Sequence, residues 1–120
     1  MNDTLDFQSA LGNFIGTEQY YFNPLYKWMK CTDGVKFFAE NAGGGAYWLL
    51  DIIGTETKEL LDQVGFLSIE LEVNDGKAQL RITDGDYKPM MSKAIGFTDC
   101  PAGTWKFFLV DSVLMLSSEY

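Results

Sequence analysis

Apolar and polar residues alternate most regularly in the second half of the chain. Leu67, Ile69, Leu71 and Val73 are interleaved with Ser68, Glu70, Glu72 and Asn74. Ala78, Leu80 and Ile82 then alternate with Gln79, Arg81 and Thr83. A period of two is the signature of a half-buried strand. Asp75-Gly76 lies between the two runs, and Asp-Gly favours the type I′ turn whose central residues both need positive φ. The turn sets a register in which Leu71 faces Leu80, Ile69 faces Ile82 and Glu70 faces Arg81. Residues 92–98 are expected to add a strand. Trp105–Val110 and Val113–Leu116 form a second hairpin around Asp111-Ser112, largely apolar on both faces and therefore central in the sheet or covered on two sides.

The first half follows a different rhythm. Phe7, Ala10, Leu11 and Phe14 fall at i, i+3, i+4 and i+7, which predicts a helix over residues 4–14. In residues 18–31 the aromatics Tyr20, Phe22, Tyr26 and Trp28 sit at even spacing and read as extended chain broken at Asn23-Pro24. Phe22 and Trp28 are assigned to the core, with at least one of Tyr20, Tyr21 and Tyr26 exposed. Thr32-Asp33-Gly34 reads as a turn, followed over 35–42 by a short helix or, as the alternative, a strand. Gly43-Gly44-Gly45 is expected to be the most flexible point. A longer helix begins at Ala46, is interrupted at Gly54-Thr55, and resumes with Leu60, Leu61 and Val64 facing inward. The predicted fold is α+β: a curved antiparallel sheet of about five or six strands with two or three helices packed on one face, as one domain over residues 1–120.

Composition narrows the chemistry. Of 120 residues, 47% are hydrophobic and 15% aromatic, enough for a real core without metals or many disulfides. Met1-Asn2-Asp3-Thr4 has neither a basic nor an apolar leader region, and no apolar run is long enough to span a bilayer, so a cytoplasmic location is expected. That compartment favours free thiols at Cys31 and Cys100. The net charge of −8 argues against direct nucleic-acid binding and against an anionic membrane surface, and favours a protein partner with a basic surface.

The chain contains no histidine. The commonest general base, the His-paired nucleophiles and most zinc sites are therefore missing. No phosphate-cradling glycine motif or complete EF-hand loop occurs. No catalytic or metal-ligating residue is assigned, and no cofactor is expected. Asp33, Asp51, Asp84 and Asp99 could serve a carboxylate- or metal-dependent hydrolase, but short acids before glycine or in turns usually cap local N–H groups. Asp51, within Ala46–Ile53, either marks a solvent stripe or is a buried carboxylate paired with Lys36 or a tyrosine hydroxyl.

Five motifs occur in order: Gly16-Thr17-Glu18-Gln19-Tyr20-Tyr21, Thr32-Asp33-Gly34-Val35-Lys36, Ala46-Tyr47-Trp48-Leu49-Leu50-Asp51, Phe97-Thr98-Asp99-Cys100-Pro101 and Ser117-Ser118-Glu119-Tyr120. Together they resemble a domain-of-unknown-function family of small bacterial and mobile-element proteins. The resemblance spans nearly the whole chain and implies one complete domain, without supplying catalytic residues. The functional expectation is a non-enzymatic interaction module. Its most specific form is an acidic phage- or mobile-element-type inhibitor that occupies a basic site on a host nucleic-acid-targeting defence protein. Asp51, Glu56, Glu59 and Asp62 are the candidate acidic surface, with Glu70 and Glu72 on the hairpin. Tyr20, Tyr21 and Tyr26 are the alternative surface, which a homodimer could also bury.

Overall fold

The Asp75-Gly76 turn organises the second half as its sequence demands. A computed structural model describes residues 3–14, 20–23 and 26–120, with side chains for 7–14, 20–22 and 27–120. Strands β3 (Phe66–Asn74) and β4 (Lys77–Asp84) flank the turn, where Asp75 has φ 53° and Gly76 φ 72°. The register is the one expected: Leu71 opposite Leu80, Ile69 opposite Ile82, Glu70 opposite Arg81. Leu67, Ile69, Leu71, Leu80 and Ile82 are all buried on one face. A one-residue slip would send this whole set into solvent.

The second predicted hairpin joins β6 (Gly103–Val110) and β7 (Val113–Leu116) through Asp111 and Ser112, at φ 53° and 61°. It lies inside the sheet, with β6 between β3 and β7. The remaining strands are β1 (Tyr21–Asn23), β2 (Tyr26–Cys31) and β5 (Pro89–Ile95). Residues 96–98 of the expected 92–98 strand lie past its end, and it begins earlier, at Pro89.

The sheet departs from the prediction in two ways. Among the described residues it has seven strands, ordered β1-β2-β7-β6-β3-β4-β5, and it is mixed, because β2 runs parallel to β7 through Lys30↔Val113 and Cys31↔Leu114. Alternation identifies strands but not which distant strand each one meets, so neither the parallel pair nor the final count was readable locally. The described helices are α1 (Asp3–Gly12), α2 (Asp33–Asn41), α3 (Tyr47–Glu56) and α4 (Lys58–Val64), followed at the C-terminus by a 3-10 turn, Ser117–Glu119.

Three local corrections have physical causes. Thr32-Asp33-Gly34 is a helix start and not a free turn: the Thr32 hydroxyl accepts from the Val35 N–H at 3.3 Å, and α2 begins at Asp33. The helix break falls at Thr57, beyond Gly54-Thr55. There the buried Thr57 hydroxyl donates to the Ile53 carbonyl at 2.6 Å, a back-bond that competes with the regular ladder. In α4 only Leu61 is buried; Leu60 is half-buried and Val64 exposed.

The core is one cluster. Phe38 of α2 meets Phe107 edge-on at 5.1 Å and Trp105 at 6.0 Å, and Phe7 of α1 meets Trp105 at 5.2 Å. Full burial of a side chain such as Phe38 or Phe107 contributes roughly 1.5–3 kcal/mol. At the other edge the inward residues are Met29 and Cys31, both buried. Phe22 is exposed, beside Lys30 on the opposite side of the strand pair, and Trp28 is only half-buried. The alternation in this segment was right, but Phe22 faces solvent where it was expected in the core, and Trp28 packs only partly against the core. The Trp28 indole N–H donates to the Gly54 carbonyl at 3.0 Å, so its ring bridges β2 to α3.

Candidate functional site

Two expected surfaces and one joint that sequence reasoning missed define the chemistry of the exterior. The first surface belongs to α3 and α4. Asp51, Glu56, Glu59 and Asp62 are all exposed, while Leu49, Leu50, Ile53 and Leu61 hold these helices to the core. Asp51 is therefore neither buried nor the partner of Lys36, which pairs with Glu40 at 2.9 Å. The acids do not share one continuous helix. Glu56 ends α3, whereas Glu59 and Asp62 are neighbours at i, i+3 on α4. Lys58 interrupts the acidic run and pairs with Asp62 at 3.2 Å. On the hairpin, Arg81 lies 3.8 Å from Glu70 and 3.4 Å from Glu72, and Lys106 lies 3.9 Å from Glu70. Those two acids are thus partly neutralised by their neighbours, as Asp62 is by Lys58.

The second surface is the tyrosine segment. Tyr20 is 54% exposed and Phe22 57%, the first just before β1 and the second within it, at the sheet edge. Tyr21 is half-buried and points elsewhere. Desolvation and then the Asp33 carboxylate raise its phenol above the ordinary value, with Lys36 acting in the opposite sense. The Lys36 ammonium stands 5.0 Å from the Tyr21 ring centroid, a cation–π contact. The Glu40 carboxylate is the main cause holding Lys36 above its usual value. The Tyr26 side chain lies outside the described residues.

The joint comes from the C-terminal Ser-Ser-Glu-Tyr. The Glu119 carboxylate accepts from the Thr32 hydroxyl at 2.6 Å, the Leu116 N–H at 2.9 Å and the Gly34 N–H at 3.3 Å. A negative charge is thereby held at the positive end of α2. Gly34 has no side chain for a reason of space, since a Cβ there would sit 2.6 Å from the Glu119 Oε1. Ser118 donates to the Phe14 carbonyl at 2.7 Å, and the Tyr120 ring packs edge-on against Phe108 at 5.1 Å and Phe66 at 5.6 Å. A similar clasp joins the Phe97–Pro101 motif to the triple-glycine loop. Asp99, expected to cap its own turn, instead accepts from the Gly44 N–H at 2.7 Å and ties down the triple-glycine loop. Asp84 does act locally, accepting from the N–H groups of Asp86 at 2.8 Å and Lys88 at 2.9 Å. The signal that could have exposed the Glu119 clasp was the set of motifs itself, which holds an acid in one motif and Thr-Asp-Gly in another; Gly44, the partner of Asp99, lies outside all five motifs.

An open groove of about 300 Å³ lies between α1 and β6, lined largely by Leu11, Phe38, Trp105, Phe107 and Leu116. Among the described residues Lys106 is its one ionisable lining residue, and no pair of described carboxylates converges there. Cys31 and Cys100 are buried and unbridged, and burial pushes both thiols up to about 12. That favours the inert thiol over the nucleophilic thiolate at neutral pH. Among the described residues, no group of three or more Cys, Asp or Glu is placed to hold a metal ion. Likewise, no described helix is long and apolar enough to cross a membrane.

A protein-family model described as a family of unknown function, DUF6876, matches residues 5–120. The chain belongs to this family. No curated protein and no solved structure matches it. In this DUF6876 member the match takes in the Thr32–Glu119 clasp and the Gly44–Asp99 clasp together, so both lie within the unit that the family defines.

Proposed function

We propose that the protein is a non-enzymatic interaction module that engages a basic surface on a protein partner through the acids of α3 and α4. The observation that carries this reading is the exposure of Asp51, Glu56, Glu59 and Asp62 on helices whose apolar residues are committed to the core. Carboxylates placed this way speed and orient encounter with a basic patch at little cost to folding. In its most specific form the partner is a nucleic-acid-targeting defence protein, whose phosphate-binding groove a row of carboxylates would occupy. That form, and an origin in phage or mobile elements, rests on acidity and motif resemblance.

The test compares wild type with the Glu59→Lys/Asp62→Lys double variant. Exposed substitutions of this kind change stability by about 0.5 kcal/mol or less, so the variant should fold. Partners captured from a lysate at low and high salt are identified by mass spectrometry, and their affinities are then measured. A basic partner that is lost on charge reversal and weakened by salt supports the reading. An affinity indifferent to both would refute it. A second reading, a homodimer through the tyrosine segment, is favoured by the exposed Tyr20 and Phe22 beside the edge strand β1. Light scattering of wild type and a Tyr20→Ser/Phe22→Ser variant separates the two.

A further inference from the structure

The sheet ends at β5, on the edge opposite β1. Its inner side pairs with β4 from Ala78↔Ile95 to Thr83↔Pro89, and among the described residues no strand pairs with its outer side. Every other N–H and C=O of such an edge points outward, a ready template for one more strand. Two features distinguish this edge. The first is apolar exposure at both ends. Tyr87, just before the strand, is 87% exposed, and Phe97, just after it, is 84% exposed. Tyr87 also sits at φ 65°, a conformation that a bulky residue rarely adopts, and its N–H is bonded back to the Asp84 carbonyl at 3.2 Å. The loop therefore holds the ring out at some conformational cost.

The second feature is charge. Residues 87–97 carry Lys88 and Lys93 and no acid, within a chain of net charge −8. Lys93 lies across from Leu80, on the side of the sheet that bears the core, with Met91 and Ile95 two positions either way on the same side. Those two side chains pack partly against the core, whereas Lys93 is exposed. Along this face the edge thus reads apolar, cationic, apolar. A lysine in this position deters a flat apolar edge from indiscriminate pairing, and selects a strand that can neutralise it.

We propose that β5 is a docking edge for an extended segment of a partner protein, with apolar side chains opposite Met91 and Ile95 and a carboxylate opposite Lys93. Backbone hydrogen bonds would supply affinity and the alternating side chains the choice of sequence, as in strand addition generally. Tyr87 and Phe97 would close over the two ends of the added strand. A second copy of this chain fits less well. Antiparallel self-pairing about Ser92 would set the two Lys93 residues one diagonal step apart, roughly 7 Å, and bring together two chains that each carry −8. This surface is separate from the acids of α3 and α4, and the two readings fail independently.

The test uses two blocked synthetic peptides, Val-Thr-Val-Thr-Glu-Thr-Val-Thr-Val and its central lysine counterpart. Affinity is read by fluorescence anisotropy and backbone protection of residues 89–95 by hydrogen exchange. The glutamate peptide is expected to protect β5 and to bind about fivefold more tightly than the lysine peptide, the scale of one cross-strand charge pair. Lys93→Glu should reverse that preference, Tyr87→Ser/Phe97→Ser should weaken both peptides, and Glu59→Lys/Asp62→Lys should leave the preference unchanged. The proposal is overturned if neither peptide protects β5, or if both bind equally. It is also overturned if residues 89–95 gain protection with rising protein concentration in the absence of peptide, since a second copy would then be the occupant.

Discussion

Glu119→Ala removes the acceptor that three donors share: the Thr32 hydroxyl, the Leu116 N–H and the Gly34 N–H. A hydrogen bond to a charged group is worth about 1.5–3 kcal/mol, and an acid at a helix N-terminus a further 0.3–1 kcal/mol or so. These terms do not add in full, because the part-buried backbone donors recover some water and the Thr32 hydroxyl still accepts from Val35. Thr32 itself is 2% exposed and has little access to solvent, so its lost partner is the costliest. A loss of about 2–4 kcal/mol is expected, a large share of the roughly 5–15 kcal/mol by which a typical domain is stable. Urea unfolding followed by tryptophan fluorescence and circular dichroism measures it. With a slope of about 1–3 kcal/mol per M, the midpoint should fall by about 0.7–4 M at constant slope. Glu119→Gln keeps an acceptor oxygen and drops the charge, so it should lie between the two, about 1 kcal/mol below wild type. Combining Glu119→Ala with Thr32→Ala should cost less than the two single losses together, because each already breaks the same bond. A Glu119→Ala midpoint indistinguishable from wild type would sink the Glu119 clasp as a stabilising element.

Further outcomes follow from other contacts. Trp28→Ala is expected to cost about 2–3 kcal/mol in denaturant unfolding, below the value for a fully buried tryptophan because the ring is half-buried, and Trp28→Phe about 1 kcal/mol for the lost bond to Gly54. Ser112→Gly should raise stability by about 0.5 kcal/mol, since φ 61° strains a residue with a side chain and glycine tolerates it; a loss in thermal unfolding would contradict the turn geometry. Burial raises Cys31 and Cys100 from 9.0 to about 12, so the folded state keeps protons that the unfolded chain gives up. Their stabilising contribution is whole below about pH 8.5 and is lost as the pH climbs through the folded values, so stability should fall more steeply between pH 9 and 12 in wild type than in a Cys31→Ala/Cys100→Ala variant.

Local pattern was decisive wherever a turn and an alternation agreed. Asp75-Gly76 and the flanking apolar positions specified the β3–β4 register residue by residue, and the helical spacing of Phe7, Ala10, Leu11 and Phe14 located α1. In each case the forces that choose the conformation act between residues close in sequence. Exposure of Glu56, Glu59 and Asp62 was legible for the same reason, since acids opposite an apolar stripe face water, whereas for Asp51 the sequence left a buried alternative open that the structure decided. Their division between two helices was not, because it depends on how Thr57 is buried and bonded to Ile53. Residues 20–31 show the limit most clearly. Alternation marked two faces, and aromatic size suggested that Phe22 and Trp28 faced inward, yet the core took Met29 and Cys31. The sequence does not say which face meets the helices until β2 lies parallel to β7, some eighty residues further along. The clasps are of the same kind. Glu119 meets Thr32 across 87 positions and Asp99 meets Gly44 across 55. A carboxylate's partner at that separation is chosen by the path of the whole chain, and only the assembled sheet brings the two ends together.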